Sequence, residues 1–366
     1  MARDLELKRG ARLRSFARGL RSLHPLILLG AAALTLLALA ILAVWVSRGG
    51  YTAIPEGRLL RIANDDYVHV TYRLAGLRQS PPDVRTAYYF GGSGAMDCIA
   101  SETSLSAAIG AAGGGELPVV SLAAHGQSLG QTLALVDNLP EGPAVLLVGL
   151  APMRFTTSPG EDARLLSGKP MPIGSERLAG LLRERYGMKP SLLAPLPGIF
   201  DYLSNYARAR THGEYGWRAT LVYDAHYFDD RVARPTSRKR LEAADAMDRD
   251  RDLFAQHGAH NVAVLEELLR LAGERGDTVV LFDQPLDVEV GERDWGGVVP
   301  TYRREVRRLA ARHGALYIEM DAWRLPDAAF GDLYHLMPAA RTQWERVLAT
   351  RLAPVVGPSA GAAPEP

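Results

Sequence analysis

The chain contains a single cysteine, Cys98, in 366 residues. One thiol excludes an intrachain disulfide framework and any cysteine-rich zinc site. Charge of one sign is equally lacking: 42 basic side chains stand against 41 acidic ones, a formal net charge of +1. Such a balance gives no overall field to gather a polyanion, and no nucleic-acid partner is expected. There is no internal repeat. The glycine-rich stretch "GGSGAM" at 91–96 lacks the Lys-Ser/Thr pair of a phosphate loop. No G-x-G-x-x-G follows the first strand-like run either, which undercuts a cytoplasmic dinucleotide-binding protein. His257 and His260 are three apart but have no third ligand at a suitable spacing, so neither a metal nor a cofactor is expected.

What is present begins with an unbroken apolar run. Pro25 to Val46, "PLILLGAAALTLLALAILAVWV", carries no charge over 22 residues, enough at about 1.5 Å per residue to cross a hydrocarbon core of about 30 Å. Arg3, Lys8, Arg9, Arg12, Arg14, Arg18 and Arg21 precede it, against only Asp4 and Glu6. The excess of basic residues places a tail at 1–24 in the cytoplasm and the remainder outside, in the periplasm or extracellular space. "VWVSRGG" is a poor cleavage site, so residues 25–46 read as an uncleaved signal anchor in the plasma (inner) membrane, with Trp45 at its outer edge.

Residues 47–83 read as a juxtamembrane connector with an amphipathic stretch from Asp65 to Gln79, closed by Ser-Pro-Pro. From residue 84 to 353 short apolar runs alternate with helix-period stretches. The runs are 84–90, 117–123, 144–150, 278–282 and 315–320; the helical stretches lie near 95–111, 128–139, 173–186, 258–274, 301–313 and 339–352. This alternation predicts an α/β fold, a three-layer α/β/α arrangement around a mostly parallel five-stranded sheet of flavodoxin-like type. Ligands of such sheets bind beyond the carboxyl ends of the strands. Residues 187–250 fit the alternation poorly and read as an insertion. Its polar cluster Asp224, His226, Asp229 and Asp230 reads as a loop, and its charge run "RKRLEAADAMDRDRD" as solvated surface. Residues 354–366 have the composition of a disordered tail.

Ser93 lies just past the first apolar run, in "YFGGSGAMDC". A helix starting there offers unpaired N–H groups to an oxyanion, and the flanking glycines leave room for a substrate. Glycine and serine also serve as ordinary capping residues, so Ser93 needs a base. Near the carboxyl end of the last run, "FGDLYHLMPAA" puts Asp332 three residues before His335, a spacing that lets the carboxylate hold one ring nitrogen while the other faces the serine. His125 is a rival base with no acid near it in sequence. Cys98 is expected to be buried rather than reactive.

A serine after the first strand and D-x-x-H before the final helix resemble the SGNH, or GDSL-like, hydrolase superfamily. The likeness covers about 84–353. "GGS" at 91–93 stands where the family's first block has Gly-Asp-Ser, and "DLYH" at 332–335 matches its last block. Such variants occur in membrane-anchored proteins of bacterial envelope polysaccharide acylation, whose layout this chain shares. The resemblance implies Ser93, Asp332 and His335 as catalytic residues and Gly126 as an oxyanion-hole glycine. The third block's asparagine is missing from "GLAPMRF" at 149–155. Arg154 and Gln127 are then the candidate replacement donors, because losing one such donor costs about 2.7 to 4 kcal/mol.

The expected activity is that of an extracytoplasmic esterase or O-acyltransferase. Its substrate would be an acyl-bearing envelope glycan or a small ester, and its partner a membrane-bound acyltransferase or polysaccharide exporter. The alternative is a catalytically weak glycan-binding or scaffold component.

Overall fold

In the structure, a computed structural model that describes residues 25–47, 66–166, 173–189, 232–291, 294–320 and 325–357, each of the five apolar runs forms a strand. The strands are β1 (Ala87–Phe90), β2 (Val119–Ser121), β3 (Val145–Leu150), β4 (Thr278–Asp283) and β5 (Leu316–Ile318), all parallel, in the order β2-β1-β3-β4-β5. β3 lies at the centre, pairs on both sides, and is buried at all six positions, as expected of a parallel strand covered on both faces.

Side chains alternate between the two faces with the strand's period of two. Tyr88, Phe90, Leu146, Val148, Leu150, Val279 and Leu281 belong to one core. Five helices contribute to that core: α2 (Asp66–Gln79), α5 (Leu129–Asp137), α7 (Glu176–Tyr186), α8 (Thr236–Arg275) and α9 (Val298–His313). Ala87, Tyr89, Val145, Leu147, Val280 and Phe282 belong to the other, beneath α4 (Glu102–Ile109) and α10 (Pro338–Val356). The short α3 (Ser93–Met96) follows β1, and α6 (Pro159–Leu165) follows β3 after a 3₁₀ turn, Pro152–Phe155. α1 (Pro25–Ser47) is long and apolar enough to cross a membrane.

Four expectations change. The double proline separates α2 from β1 in the chain but not in space. Val70 and Leu74 of α2 enter the core, and Arg73 grips Glu102 with both terminal nitrogens at 2.5 and 2.7 Å. The folded unit therefore includes residues 66–79, read from sequence as connector. Second, α8 is one helix of 40 residues ending at Gly276, whose φ of 75° suits the left-handed position that glycine tolerates. It joins the charge run to the stretch at 258–274; residues 190–231 of the expected insertion, including Asp224, His226, Asp229 and Asp230, lie outside the described residues. Third, the charge run is not wholly solvated, since Lys239 and Asp250 are each 1% exposed. Asp250 accepts the Trp295 indole N–H at 3.0 Å, and Lys239 holds the loop that carries Asp332. α10 continues to Val356 with Pro354 in its last turn, so the expected tail begins later than 354.

Candidate functional site

The parallel sheet sends every strand's exit loop to one edge. Its order reverses direction between β1 and β3, and an open α/β sheet has its natural crevice at such a switch point. Ser93 opens α3 immediately after β1 there and is half-buried.

The turn is made by close packing. A Cβ on Gly91 would sit 2.3 Å from the Ala95 Cβ, and one on Gly149 would sit 3.1 Å from the same atom and 3.0 Å from the Gln284 Nε2. On Gly94 it would lie 2.8 Å from the Gln284 Oε1 and 3.3 Å from the Tyr334 carbonyl oxygen. Glycine at these positions lets α3 settle onto the ends of β3 and β4. The contact between Gly94 and Tyr334 also brings the neighbour of Ser93 against the neighbour of His335. α3 has only four residues, so it contributes local N–H groups rather than the field of a long helix.

Asp332 and His335 meet in the loop before α10. His335 Nδ1 lies 2.8 and 2.9 Å from the two Asp332 carboxylate oxygens, and the backbone N–H groups of Tyr334 and His335 donate to Oδ1 at 3.0 and 3.1 Å. The three-residue spacing works through a carboxylate-closed turn, not through a turn of helix. Desolvation alone would raise the Asp332 carboxyl, but the hydrogen bond and charge of His335, with the two N–H donors, hold it below its ordinary value. A carboxylate on Nδ1 fixes the tautomer and makes Nε2 the basic nitrogen.

This loop is pinned from three directions. Within it, Gly331 N–H donates to the His335 carbonyl at 2.9 Å and Met337 N–H to the Ala329 carbonyl at 2.8 Å. From α8, the Lys239 ammonium donates to the carbonyls of Asp327 and Phe330 at 2.9 and 2.8 Å and to Asp327 Oδ1 at 2.8 Å, with Asp287 Oδ2 at 3.5 Å. From α10, Arg341 reaches the Asp97 carbonyl at 3.2 Å and the Leu336 carbonyl at 3.4 Å, tying α3 to the same loop.

The expected oxyanion groups divide. Gly126 has a φ of +63° and open space where a Cβ would stand, in the loop that follows β2 and is bonded to β1 through Ala124 N–H and the Gly91 carbonyl at 3.0 Å. Gln127 is 2% exposed. Its Oε1 accepts the Gly91 N–H and the Thr132 hydroxyl, both at 3.0 Å, and its Nε2 donates to the Leu122 carbonyl at 2.7 Å. Gln127 thus supports the Ser93 turn from behind and is not an available donor.

Arg154 is corrected likewise. Its guanidinium is buried against the Gly149 carbonyl at 2.6 Å, the Ser128 carbonyl at 3.0 Å and the Thr132 hydroxyl. Desolvation pushes its pKa down to about 9, so it is still charged at neutral pH. Each stranded acceptor costs about 1 to 3 kcal/mol, partly offset by no longer burying a cation. Arg154→Ala is therefore expected to lose about 3 kcal/mol of stability in urea unfolding, with the remaining folded protein keeping its reactivity at Ser93.

His125, which has no acid near it in sequence, stands exposed in the loop after β2, and desolvation first and the charge of His335 second lower its pKa. Gln284 was missed altogether, because a glutamine after a strand carries no motif. It is 6% exposed and fills the space left by Gly91, Gly94 and Gly149. Cys98 is fully buried and its thiol donates to the Gly94 carbonyl at 3.0 Å. Desolvation, and then the Asp97 charge, raise its pKa, which disfavours a reactive thiolate. His260 is paired with Asp162 at 2.9 Å, while His257 lines a groove beside Gly126.

An acid-oriented imidazole in a loop that packs, through Tyr334 and Gly94, on the turn carrying half-buried Ser93 has the groups that nucleophilic acyl chemistry needs. No protein-family model matches the chain, and no curated protein matches it.

Proposed function

We propose that this protein is an SGNH-like serine esterase or O-acyltransferase acting on the acyl groups of a cell-envelope glycan. In this reading α1 anchors it, the N-terminal tail is cytoplasmic and the folded unit lies in the periplasm or outside the cell. The observation that carries the reading is the Asp332–His335 pair, held at 2.8 Å in a loop that packs on the Ser93 turn through Tyr334 and Gly94.

Ser93 Oγ attacks the acyl carbonyl carbon as its proton passes to His335 Nε2. Asp332 stabilises the imidazolium. Backbone N–H groups of the Ser93 turn and of the loop containing Gly126 hold the oxyanion, which collapses as His335 returns the proton to the leaving alkoxide. Water or a sugar hydroxyl, deprotonated by His335, then attacks the acyl-serine, and His335 returns that proton to Ser93 Oγ as it leaves. Water completes an esterase cycle; the sugar hydroxyl completes a transfer.

The route of the chain supports work beside a membrane. Arg73 of α2 donates to the Ser121 carbonyl at the carboxyl end of β2 at 3.2 Å, whereas Arg78 reaches Asn138, the C-cap of α5, at 3.1 Å. Since α5 runs back from the carboxyl edge, α2 starts on that edge and descends. The anchor's chain therefore joins the folded unit on the same edge as Ser93 and His335, which suits a membrane-held acyl donor or a polysaccharide exporter as partner.

The engagement of Arg154 and Gln127 elsewhere favours a second reading, a glycan-binding or scaffold module of low catalytic power. Full-length protein in detergent micelles, treated with a fluorophosphonate and weighed intact, separates the two. One adduct is expected; none, from protein folded by circular dichroism, gives the binding module precedence. Protease accessibility in spheroplasts tests the orientation, with cleavage of the folded unit expected from outside.

A further inference from the structure

A groove of about 380 Å³ starts at Gly126 and runs between the N-terminus of α5, the segment at 156–161 and the face of α8 bearing Leu253 and His257. That volume falls within the range of about 300 to 1,000 Å³ common for ligand sites.

Its walls are fastened together behind it. Asp162, fully buried on α6, accepts the Ser128 hydroxyl from the cap of α5 at 2.9 Å and pairs with His260 of α8 at 2.9 Å. Gly130 completes the fit, since a Cβ there would meet the Asp162 carboxylate at 2.3 Å. Glu161 adjoins Asp162, and His257 lies one helical turn before His260, so the same carboxylate bridge ties together the helices that carry these two groove residues.

The lining has a definite chemistry. Thr157, Glu161 and His257 offer hydroxyl, carboxylate and imidazole groups, and Leu165 and Leu253 offer apolar surface. Glu161 is held in its anionic form: the Ser158 N–H lowers its pKa most, against a smaller desolvation effect, and the Ser158 hydroxyl and His257 lower it further. No lysine or arginine is among the described residues that line the groove. Carboxylate and hydroxyl groups suit the hydroxyls of a sugar, and the leucines suit its C–H faces. A uronate or phosphate entering here would meet the Glu161 carboxylate, which His257 and Arg164 offset only in part, with no lysine or arginine among the described residues of the lining.

We infer that this groove is the glycan subsite of the Ser93 site and that it takes an uncharged sugar chain rather than an acidic polysaccharide. The inference rests on the acyl-transfer reading and adds the substrate's charge class.

The test measures binding, so it does not depend on catalysis. Full-length Ser93→Ala protein in detergent micelles is titrated with tetra-N-acetylchitotetraose, a neutral probe, and with tetragalacturonate, an acidic one. Binding of the neutral probe alone is expected. Leu253→Trp, which fills the groove, should weaken it at least about tenfold, as loss of a central contact does. Thr157→Arg, at the rim, should admit the acidic probe. The inference is overturned if tetragalacturonate binds the parent as well as the neutral probe does, if neither binds, or if Leu253→Trp leaves neutral binding intact. Fluorophosphonate labelling of the wild type reports the Ser93 reading separately: labelling without groove binding sinks only this inference, and binding without labelling leaves a sugar site in a non-catalytic protein.

Discussion

Ser93→Ala is expected to abolish fluorophosphonate labelling, and Asp332→Asn to slow it by about 10⁴-fold, the scale seen when the orienting acid of a serine triad is made neutral. The physical reason lies in the hydrogen-bond directions. The Asp332 oxygens accept from His335 Nδ1 and from two backbone N–H groups. An amide keeps one carbonyl acceptor but turns an NH₂ toward the ring, which favours the tautomer with its lone pair on Nδ1. Nε2 then carries the proton and cannot serve as the base.

His335→Ala should match Ser93→Ala, and a double variant should be no worse than either single one, because the groups act as a unit. Labelling rates of the full chain in micelles, with folded state checked by circular dichroism, decide the matter. A His335→Ala protein that labels at the wild-type rate would remove the triad and with it the proposed chemistry.

Lys239→Met is expected to be the most destabilising single change, at about 3 to 5 kcal/mol, the cost of leaving a buried charge without its partner. The ammonium holds two carbonyls and Asp327 and lies 3.5 Å from fully buried Asp287. Methionine fills the volume and satisfies none of them. The loop from 327 to 335 loses its anchor, so labelling at Ser93 should fall as well.

The pair also has a pH signature. Desolvation first, and sharing a proton with Asp327 second, push the Asp287 carboxyl up to about 7, with Lys239 opposing. Its folded value exceeds the unfolded one of about 4, so the folded state binds the extra proton between the two. The group's contribution is fully present below about pH 4 and is lost as pH rises through about 7. Urea unfolding from pH 4 to 7 should show this decline in the wild type and a flatter profile in Asp287→Asn. In Lys239→Met the decline should extend to higher pH, and adding Asp287→Asn should recover part of the lost stability. Equal loss in the single and double variants would mean that the cost comes from packing rather than charge.

Much of the fold was legible because strand and helix are written in local periodicity. "AVLLVGL" at 144–150 is too apolar for anything but a central buried strand, and "TVVLF" at 278–282 likewise. α8 was harder to read: its first half buries alanines and two charged residues, Lys239 and Asp250, so no apolar stripe distinguishes it from surface. α2 looked like a connector for a similar reason, since only its packing shows that Val70 and Leu74 belong to the core.

The same division holds at the site. Asp332 and His335 are three residues apart, and a short carboxylate-imidazole contact needs little more than a local turn. The packing of their loop on the Ser93 turn, through Tyr334 and Gly94, is a matter of topology, because residues 93 and 335 follow β1 and β5, strands that only the pairing of the sheet aligns. Gln127 and Arg154 looked like oxyanion donors because a sequence records a residue's donor groups but not who accepts from them. Composition, the apolar run at 25–46, the strand pattern and the D-x-x-H turn were determined by the sequence alone, each set by neighbours within a few residues. Which polar side chains are consumed inside the fold, that Lys239 anchors the histidine loop, and that a groove without described cations opens beside Gly126 were decided by tertiary structure, since each depends on contacts between residues distant in the chain.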